Sequence, residues 1–258
     1  MNSNLPRAIH LTIVTFLAVA STFVLDAAEG SGAPVLRVGV TPNSPPMIIK
    51  QGKDIAGLEA DFAQALGRAL SRDVQFVEVP WEDLIDALDE HKIDIIMSSM
   101  SITRARQFRV AFSEPYLRIA QMALVRAEDR YRFAPLSTSM ANLAVGVKKA
   151  TTGDLLVQQE FPKAKRKYYK SGDDAAKALK KGSIELFIDD STMIWYLAGT
   201  YEADGLVVAP MTLSDELLAW GVRRSDAELL ASVNEFLGKF KASGELDKVL
   251  QRWIPKFQ

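Results

Sequence analysis

The chain has 258 residues, a formal net charge of −1 and a hydrophobic content of 48%. Length and composition support a folded body of one large or two small domains and exclude a disordered chain. The balance of 31 Lys+Arg against 32 Asp+Glu argues against a nucleic-acid partner, and the lack of cysteine excludes thiol catalysis, Cys-type zinc sites, disulfides and a lipoprotein anchor.

Residues 1–28 read as a secretory signal. Arg7 supplies the positive n-region, Ile9 to Ala20 is a short apolar stretch, and Ala18, Ala20, Ala27 and Ala28 are small residues suited to cleavage. His10, Thr12 and Thr15 interrupt the apolar stretch, which is short for a membrane span. Export to a bacterial periplasm is the expectation.

The body alternates strand and helix patterns, which predicts an α/β fold with mainly parallel sheets. Val35 to Val40 reads as a strand. Leu58, Phe62, Leu66 and Leu70 recur every four residues and predict a helix face. Val74 to Val79 reads as a second strand, Leu84, Ile85 and Leu88 as a helix face, and Ile93 to Met97 as a third strand. Glu82, Asp83, Asp86, Asp89 and Glu90 have the spacing of that helix's solvated face rather than of a catalytic cluster. His10 falls in the leader, so His91 is the single histidine expected in the body, at an exposed helix end. Gln121 to Val125 is another strand. A second set follows, with strands at Leu143 to Val147, Ile184 to Ile188, Leu206 to Val208 and Leu217 to Val222. Thr152 and Ser171 stand where helices begin, and two helices close the chain, about Asp226 to Ala242 and Glu245 to Trp253.

Three strand ends carry candidate chemistry. Ligands collect at the C-terminal ends of strands in open α/β sheets. The first end runs into Ser99, Ser101, Thr103 and Arg106, hydroxyls and a planar guanidinium suited to gripping a small carboxylate. The second is Lys148-Lys149-Ala150-Thr151-Thr152-Gly153. The third is Asp189-Asp190, where a carboxylate can pair with an ammonium.

The run Ser98 to Tyr116, S-S-M-S-I-T-R-A-R-Q-F-R-V-A-F-S-E-P-Y, resembles the S-x-M-S-I-T-x-x-R…F-S-x-P-Y segment of the family 3 periplasmic solute-binding proteins, polar amino-acid receptors of ABC importers. The resemblance extends over nearly everything after residue 35. It implies a two-lobed periplasmic binding protein fold of type II, with a cleft between lobes. Lobe one would comprise 35–125 plus 211–258 and lobe two 126–210, with crossings near Arg126 and Pro210. It implies that Ser99, Ser101 and Arg106 hold a ligand's α-carboxylate, that Thr152 reaches it from lobe two, and that Asp190 receives the α-amino group. Ala150 stands where the family usually has glycine. The resemblance also places Trp81 as a pocket wall and puts Met47 at a position where many relatives have phenylalanine. The implied partners are a small-molecule ligand, an amino acid or related carboxylate, and an inner-membrane ABC permease. A monomer is expected, with no metal, cofactor or catalytic residue. Two other readings stand beside this one. Cyclohexadienyl dehydratases resemble the chain at a similar level, but Met193 occupies the position of their acidic residue. Similar domains are also fused to kinases, cyclases and transglycosylases, and no further domain follows in this sequence.

Overall fold

The structure, a computed structural model, describes Met1, residues 33–133 and residues 142–254. The expected leader lies, Met1 apart, outside the described residues. Two five-stranded sheets organise the rest. In the first, Val35–Val40 runs parallel to Asp73–Glu78 on one side and to Ile95–Ile96 on the other. Gly221–Arg223 then lies antiparallel between Ile95–Ile96 and Val110–Phe112. In the second, Ala144–Val147 runs parallel to Lys165–Tyr168 and to Leu186–Asp190. Gln121–Arg126 lies antiparallel between Leu186–Asp190 and Leu206–Val208. Each sheet therefore has a parallel part and an antiparallel edge.

The elements follow from local sequence. In Val35–Val40 the side chains of Leu36 and Val38 are fully buried while Val35 and Arg37 point away, the alternation a strand requires. Leu58, Phe62 and Leu66 bury the predicted face of the helix Leu58–Leu70, which ends where Ser71 turns into left-handed backbone. The helix Ala227–Ala242 is capped by Asp226, whose Oδ1 accepts from the Leu229 amide at 3.1 Å, and buries Leu229, Val233 and Leu237. Ser171 caps the helix Gly172–Lys180 in the same way. His91 is exposed, and the acids of the Leu84–Asp89 helix face solvent, with Arg109 bridging Asp86 and Asp89.

Packing separates the two sheets. Leu36, Val38, Phe62, Trp220 and Leu237 belong to a core on one face of the first, and Leu84, Leu88, Ile93 and Ile96 to another. The second sheet is likewise sandwiched, with Val145, Val157 and Ile188 in one core and Leu179, Phe187 and Leu197 in the other. Burial on both faces explains why central strands such as Ile95–Ile96 and Ala144–Val147 are apolar throughout.

Two boundaries differ from the sequence reading. Gln121–Arg126 pairs within the second sheet, so the first crossing comes before Gln121 and not near Arg126. The single strand expected over Leu217 to Val222 is two strands. Glu216–Leu218 pairs with Leu117–Ile119, and Gly221–Arg223 returns to the first sheet. Leu117–Ile119 and Glu216–Leu218 flank the outgoing and returning crossings, so the connecting segments are held side by side. Pairing between distant strands decides both boundaries, and residue pattern carries no signal for it. A three-stranded antiparallel unit (Asn43–Ser44, Ile48–Gln51, Asp54–Ala56) was also not anticipated.

Candidate functional site

A cavity of about 550 Å³ opens where the strand ends of both sheets face each other. Thr41, Trp81, Ser99, Ser101 and Arg106 line it from the first sheet, and Lys148, Thr152, Asp189 and Asp190 from the second. The three candidate strand ends therefore meet in one place.

On the first side, Thr103 caps the short helix Arg104–Gln107 by accepting from the Arg106 amide at 3.2 Å. The Arg106 guanidinium is held by the Ser101 carbonyl at 2.9 Å and lies over the Trp81 ring, 5.1 Å from its centroid. Burial pulls the guanidinium below its ordinary value, opposed by the charges of Asp190 and Glu216. Ser101 is buried and donates its hydroxyl proton to Glu216 Oε2 at 2.6 Å. A hydroxyl has one proton, so toward the cavity Ser101 Oγ is an acceptor. It suits an ammonium better than the carboxylate expected from the sequence.

Ser99 sits in left-handed backbone, φ 57°, and its amide donates to Glu59 Oε1 at 2.7 Å. Glu59 is fully buried in the first turn of the helix Leu58–Leu70. Its carboxyl also accepts from Tyr116 Oη at 2.5 Å and Trp220 Nε1 at 2.9 Å. Burial pushes its protonation equilibrium upward, and these three donors pull it back. The carboxyl, braced by a cluster of Phe62, Tyr116 and Trp220 rings, thus fixes the strand-end loop that presents Ser99.

On the second side, Thr151 rather than Thr152 caps the helix Thr152–Glu160, accepting from the Asp154 amide at 3.3 Å. Thr152 becomes the first helical residue, and its Oγ1 accepts from Gln121 Nε2 at 3.1 Å. The Thr152 hydroxyl proton and the helix-end amides are thereby left for an anion. The same Gln121 amide donates to Asp190 Oδ1 at 2.6 Å. Gln121 Oε1 is buried without a partner. A Cβ on Gly153 would come within 2.7 Å of it, so glycine there makes room for the amide. Burial, reinforced by the charge of Asp189, pushes the Asp190 carboxyl up to about 7. Asp190 starts the helix Ser191–Thr200 but makes no side-chain capping bond, which leaves its carboxylate turned to other partners. Asp189 is buried. Its Oδ1 accepts from the Asp190 amide at 2.8 Å and its Oδ2 lies 3.1 Å from Lys148 Nζ.

Bonds cross the cavity mouth. Trp81 Nε1 donates to the Ala150 carbonyl at 3.1 Å, Asn43 Nδ2 to the Lys170 carbonyl at 2.8 Å and Lys148 Nζ to Ser44 Oγ at 3.0 Å. Lys149 pairs with Glu82 at 3.3 Å. Ala150 has φ 60°, the left-handed conformation that favours glycine.

Six of the seven residues singled out from sequence, Trp81, Ser99, Ser101, Arg106, Thr152 and Asp190, line this cavity. Met47 does not. It is 1% exposed and packs in the core beside Ile48 and Leu58, because the unexpected three-stranded unit turns it inward. Gln121, Lys148, Glu59 and Glu216 were not assigned roles from sequence. A lone amide opening an otherwise apolar strand, and an acid two residues after Gly57 at the head of an apolar helix, were the available signals for Gln121 and Glu59.

The family model of bacterial extracellular solute-binding proteins, family 3, matches residues 36–256. The "ABC transporter arginine-binding protein 1" of Escherichia coli (strain K12) is 26% identical over 248 residues, 95% of this chain and 98% of its own length. A variant of ArgBP from T. maritima has a similar structure, with a TM-score of 0.80 and 30% identity, covering 86% of this chain and 96% of that one. The ancestral amino acid-binding protein AncCDT-1, a precursor of cyclohexadienyl dehydratase, aligns with a TM-score of 0.77 and 30% identity over 85% of this chain and 94% of its own. The architecture is the two-lobed type II fold of such proteins, with the cavity between the two sheets. With the match spanning nearly all the described residues, the chain belongs to the bacterial extracellular solute-binding proteins, family 3.

Proposed function

We propose that the protein is an extracytoplasmic receptor that binds an amino acid in this cavity and delivers it to an ABC permease. The observation that carries the reading is the opposition of Arg106 and Asp190, one cation and one acid, across one cavity. A zwitterion satisfies both. Its α-carboxylate would lie against Arg106, the Thr152 hydroxyl and the helix-end amides, charge-assisted bonds of the stronger kind. Its α-ammonium would lie against Asp190 and the accepting Ser101 Oγ. Arg106 and Asp190 belong to different sheets, so the ligand stabilises the closed arrangement by contacts that an open one cannot make. The relatives' names, arginine-binding and amino acid-binding, support the same ligand class. Export by the 1–28 leader to a periplasm fits the family's extracellular placement.

A dehydratase on this fold would need an acid where Met193 stands. Met193 is 2% exposed and packs in the core with Ile194 and Leu197, off the cavity. A general acid must reach the proton it transfers, so the binding reading is favoured.

Calorimetry against a panel of free amino acids tests the reading, with at least one expected to bind. Arg106→Ala should weaken that binding by roughly 2–5 kcal/mol, the usual cost of truncating one partner of a buried charge pair. An unchanged affinity in this variant, or no binding by any amino acid, would overturn the proposal.

A further inference from the structure

We infer that Lys148 selects the ligand's side chain: the cavity takes an amino acid ending in a hydrogen-bond acceptor, a carboxylate or carboxamide, and turns away cationic side chains. The inference rests on the amino-acid reading above and concerns the same cavity.

Lys148 follows the strand Ala144–Val147, and its side chain is 14% exposed. Its ammonium lies 3.0 Å from Ser44 Oγ and 3.1 Å from Asp189 Oδ2. An ammonium carries three N–H donors; one goes to Ser44 and the Asp189 contact is an ion pair without a hydrogen bond to Oδ2, so at least one donor remains for the cavity. An acceptor on a ligand side chain meets that donor without displacing either partner.

A second cation finds no counter-charge there. Three acids line the cavity: Glu82, Asp189 and Asp190. The charge of Asp189 is balanced by Lys148, and its Oδ1 accepts from the Asp190 amide, although its Oδ2 accepts no hydrogen bond. Glu82 is spent on Lys149 at the mouth, where both side chains are largely in solvent. Asp190 is the partner of the ligand's own ammonium. Of the aromatic rings at the cavity, Trp81 is covered by Arg106, Arg166 lies 5.9 Å from the ring of Tyr168, and Tyr169 packs against the core of Leu179 and Phe187. Burying an unpaired guanidinium or ammonium is strongly unfavourable. On the basic side, Arg106 serves the α-carboxylate and the charge of Lys148 is balanced by Asp189, which leaves the spare N–H of Lys148 and the charge of Lys170 at the cavity for what the ligand projects beyond its α-carbon. The local field therefore favours a negative or acceptor end group and repels a positive one.

The test is calorimetry on the ligand-stripped protein with L-glutamate, L-glutamine, L-norleucine, L-lysine and L-arginine. Norleucine and lysine share a chain length and differ in charge. Glutamate or glutamine should bind at least tenfold more tightly than norleucine, and lysine and arginine more weakly than norleucine. Lys148→Met alone leaves Asp189 buried without a counter-charge. The double variant Lys148→Met/Asp189→Asn removes the pair together and should cut the preference for glutamate or glutamine over norleucine at least tenfold. The wild-type ranking reads the inference without any variant. Lysine or arginine as the tightest wild-type ligand would overturn it while leaving the amino-acid reading intact. So would an unchanged preference in the folded double variant. Binding by no amino acid at all would overturn the amino-acid reading itself and this inference with it.

Discussion

Gln121 Nε2 donates to Asp190 Oδ1 at 2.6 Å. The two residues lie on antiparallel neighbouring strands, paired in register, so the backbone itself sets the amide beside the acid. The bond orients one oxygen of a carboxylate that burial and Asp189 hold partly protonated near neutrality. The same amide also positions the Thr152 hydroxyl on that wall of the cavity. One neutral side chain thereby aligns groups meant for both ends of a zwitterion.

Binding should therefore depend on pH through Asp190. Its carboxyl is raised from 3.8 to about 7, so the folded, ligand-free protein binds a proton that the unfolded chain does not over that window. This group's contribution to stability falls as pH rises from about 4 to about 7. A ligand ammonium requires the ionised form. Affinity should fall as pH drops below about 7, by at most about tenfold per pH unit. Calorimetry at about pH 8 and about pH 5.5, in buffers of different ionisation enthalpy, should show proton release at the lower pH. Asp190→Asn should bind weakly and flatten the profile. A slope that persists in that variant would assign the titration elsewhere.

Gly153→Ala should separate binding from folding. The added Cβ would press on Gln121 Oε1 at 2.7 Å, with the Ile188 carbonyl next at 3.3 Å. The Gln121 side chain yields before backbone does, and its amide would leave Asp190. Loss of one hydrogen bond to a charged group is worth about 1.5 kcal/mol, so ligand affinity should fall roughly tenfold. The ligand-free protein loses the same bond, but alanine in place of glycine favours the helix Thr152–Glu160 by up to about 1 kcal/mol, so the midpoint of urea unfolding without ligand should move little. A large unfolding shift with unchanged affinity would contradict the assignment.

Glu59→Gln should destabilise the first lobe. The carboxyl accepts three bonds from neutral donors, and a carboxamide replaces one accepting oxygen by an amino group that faces a donor. Leaving a buried donor unmatched costs about 1–3 kcal/mol. Chemical denaturation reads this directly. A stability equal to wild type would mean that the three bonds are not jointly made in solution.

Ala150→Gly should stabilise the chain. At φ 60°, Ala150 bears the steric strain of a left-handed backbone. Relieving it should gain about 1 kcal/mol, less the entropy glycine adds to the unfolded state. A raised melting temperature with no change in the far-UV circular dichroism is the expected result, and a lowered one would deny the strain.

Local pattern determined the elements and much of the site. The strand Val35–Val40 and the helix Glu245–Trp253 lie where alternation and four-residue spacing put them, because each pattern describes the buried face of one element. The run from Ser99 to Arg106 was legible for a related reason: a strand end, a cap and an arginine follow one another in the chain. Tertiary structure alone decided what converges from a distance. Gln121 reaches Asp190 only because the second sheet places their strands side by side. Glu59, a polar residue by any local pattern, is buried because Ser99, Tyr116 and Trp220, between 40 and 161 residues away, each bring it a donor. Met47 turns inward through a hairpin its neighbours do not announce, and Lys148 enters the cavity because Ser44 and Asp189 receive it there. Periodicity reports how one segment meets its surroundings. Which groups form those surroundings is a matter of strand order and crossings, and for these residues that order settled their chemistry.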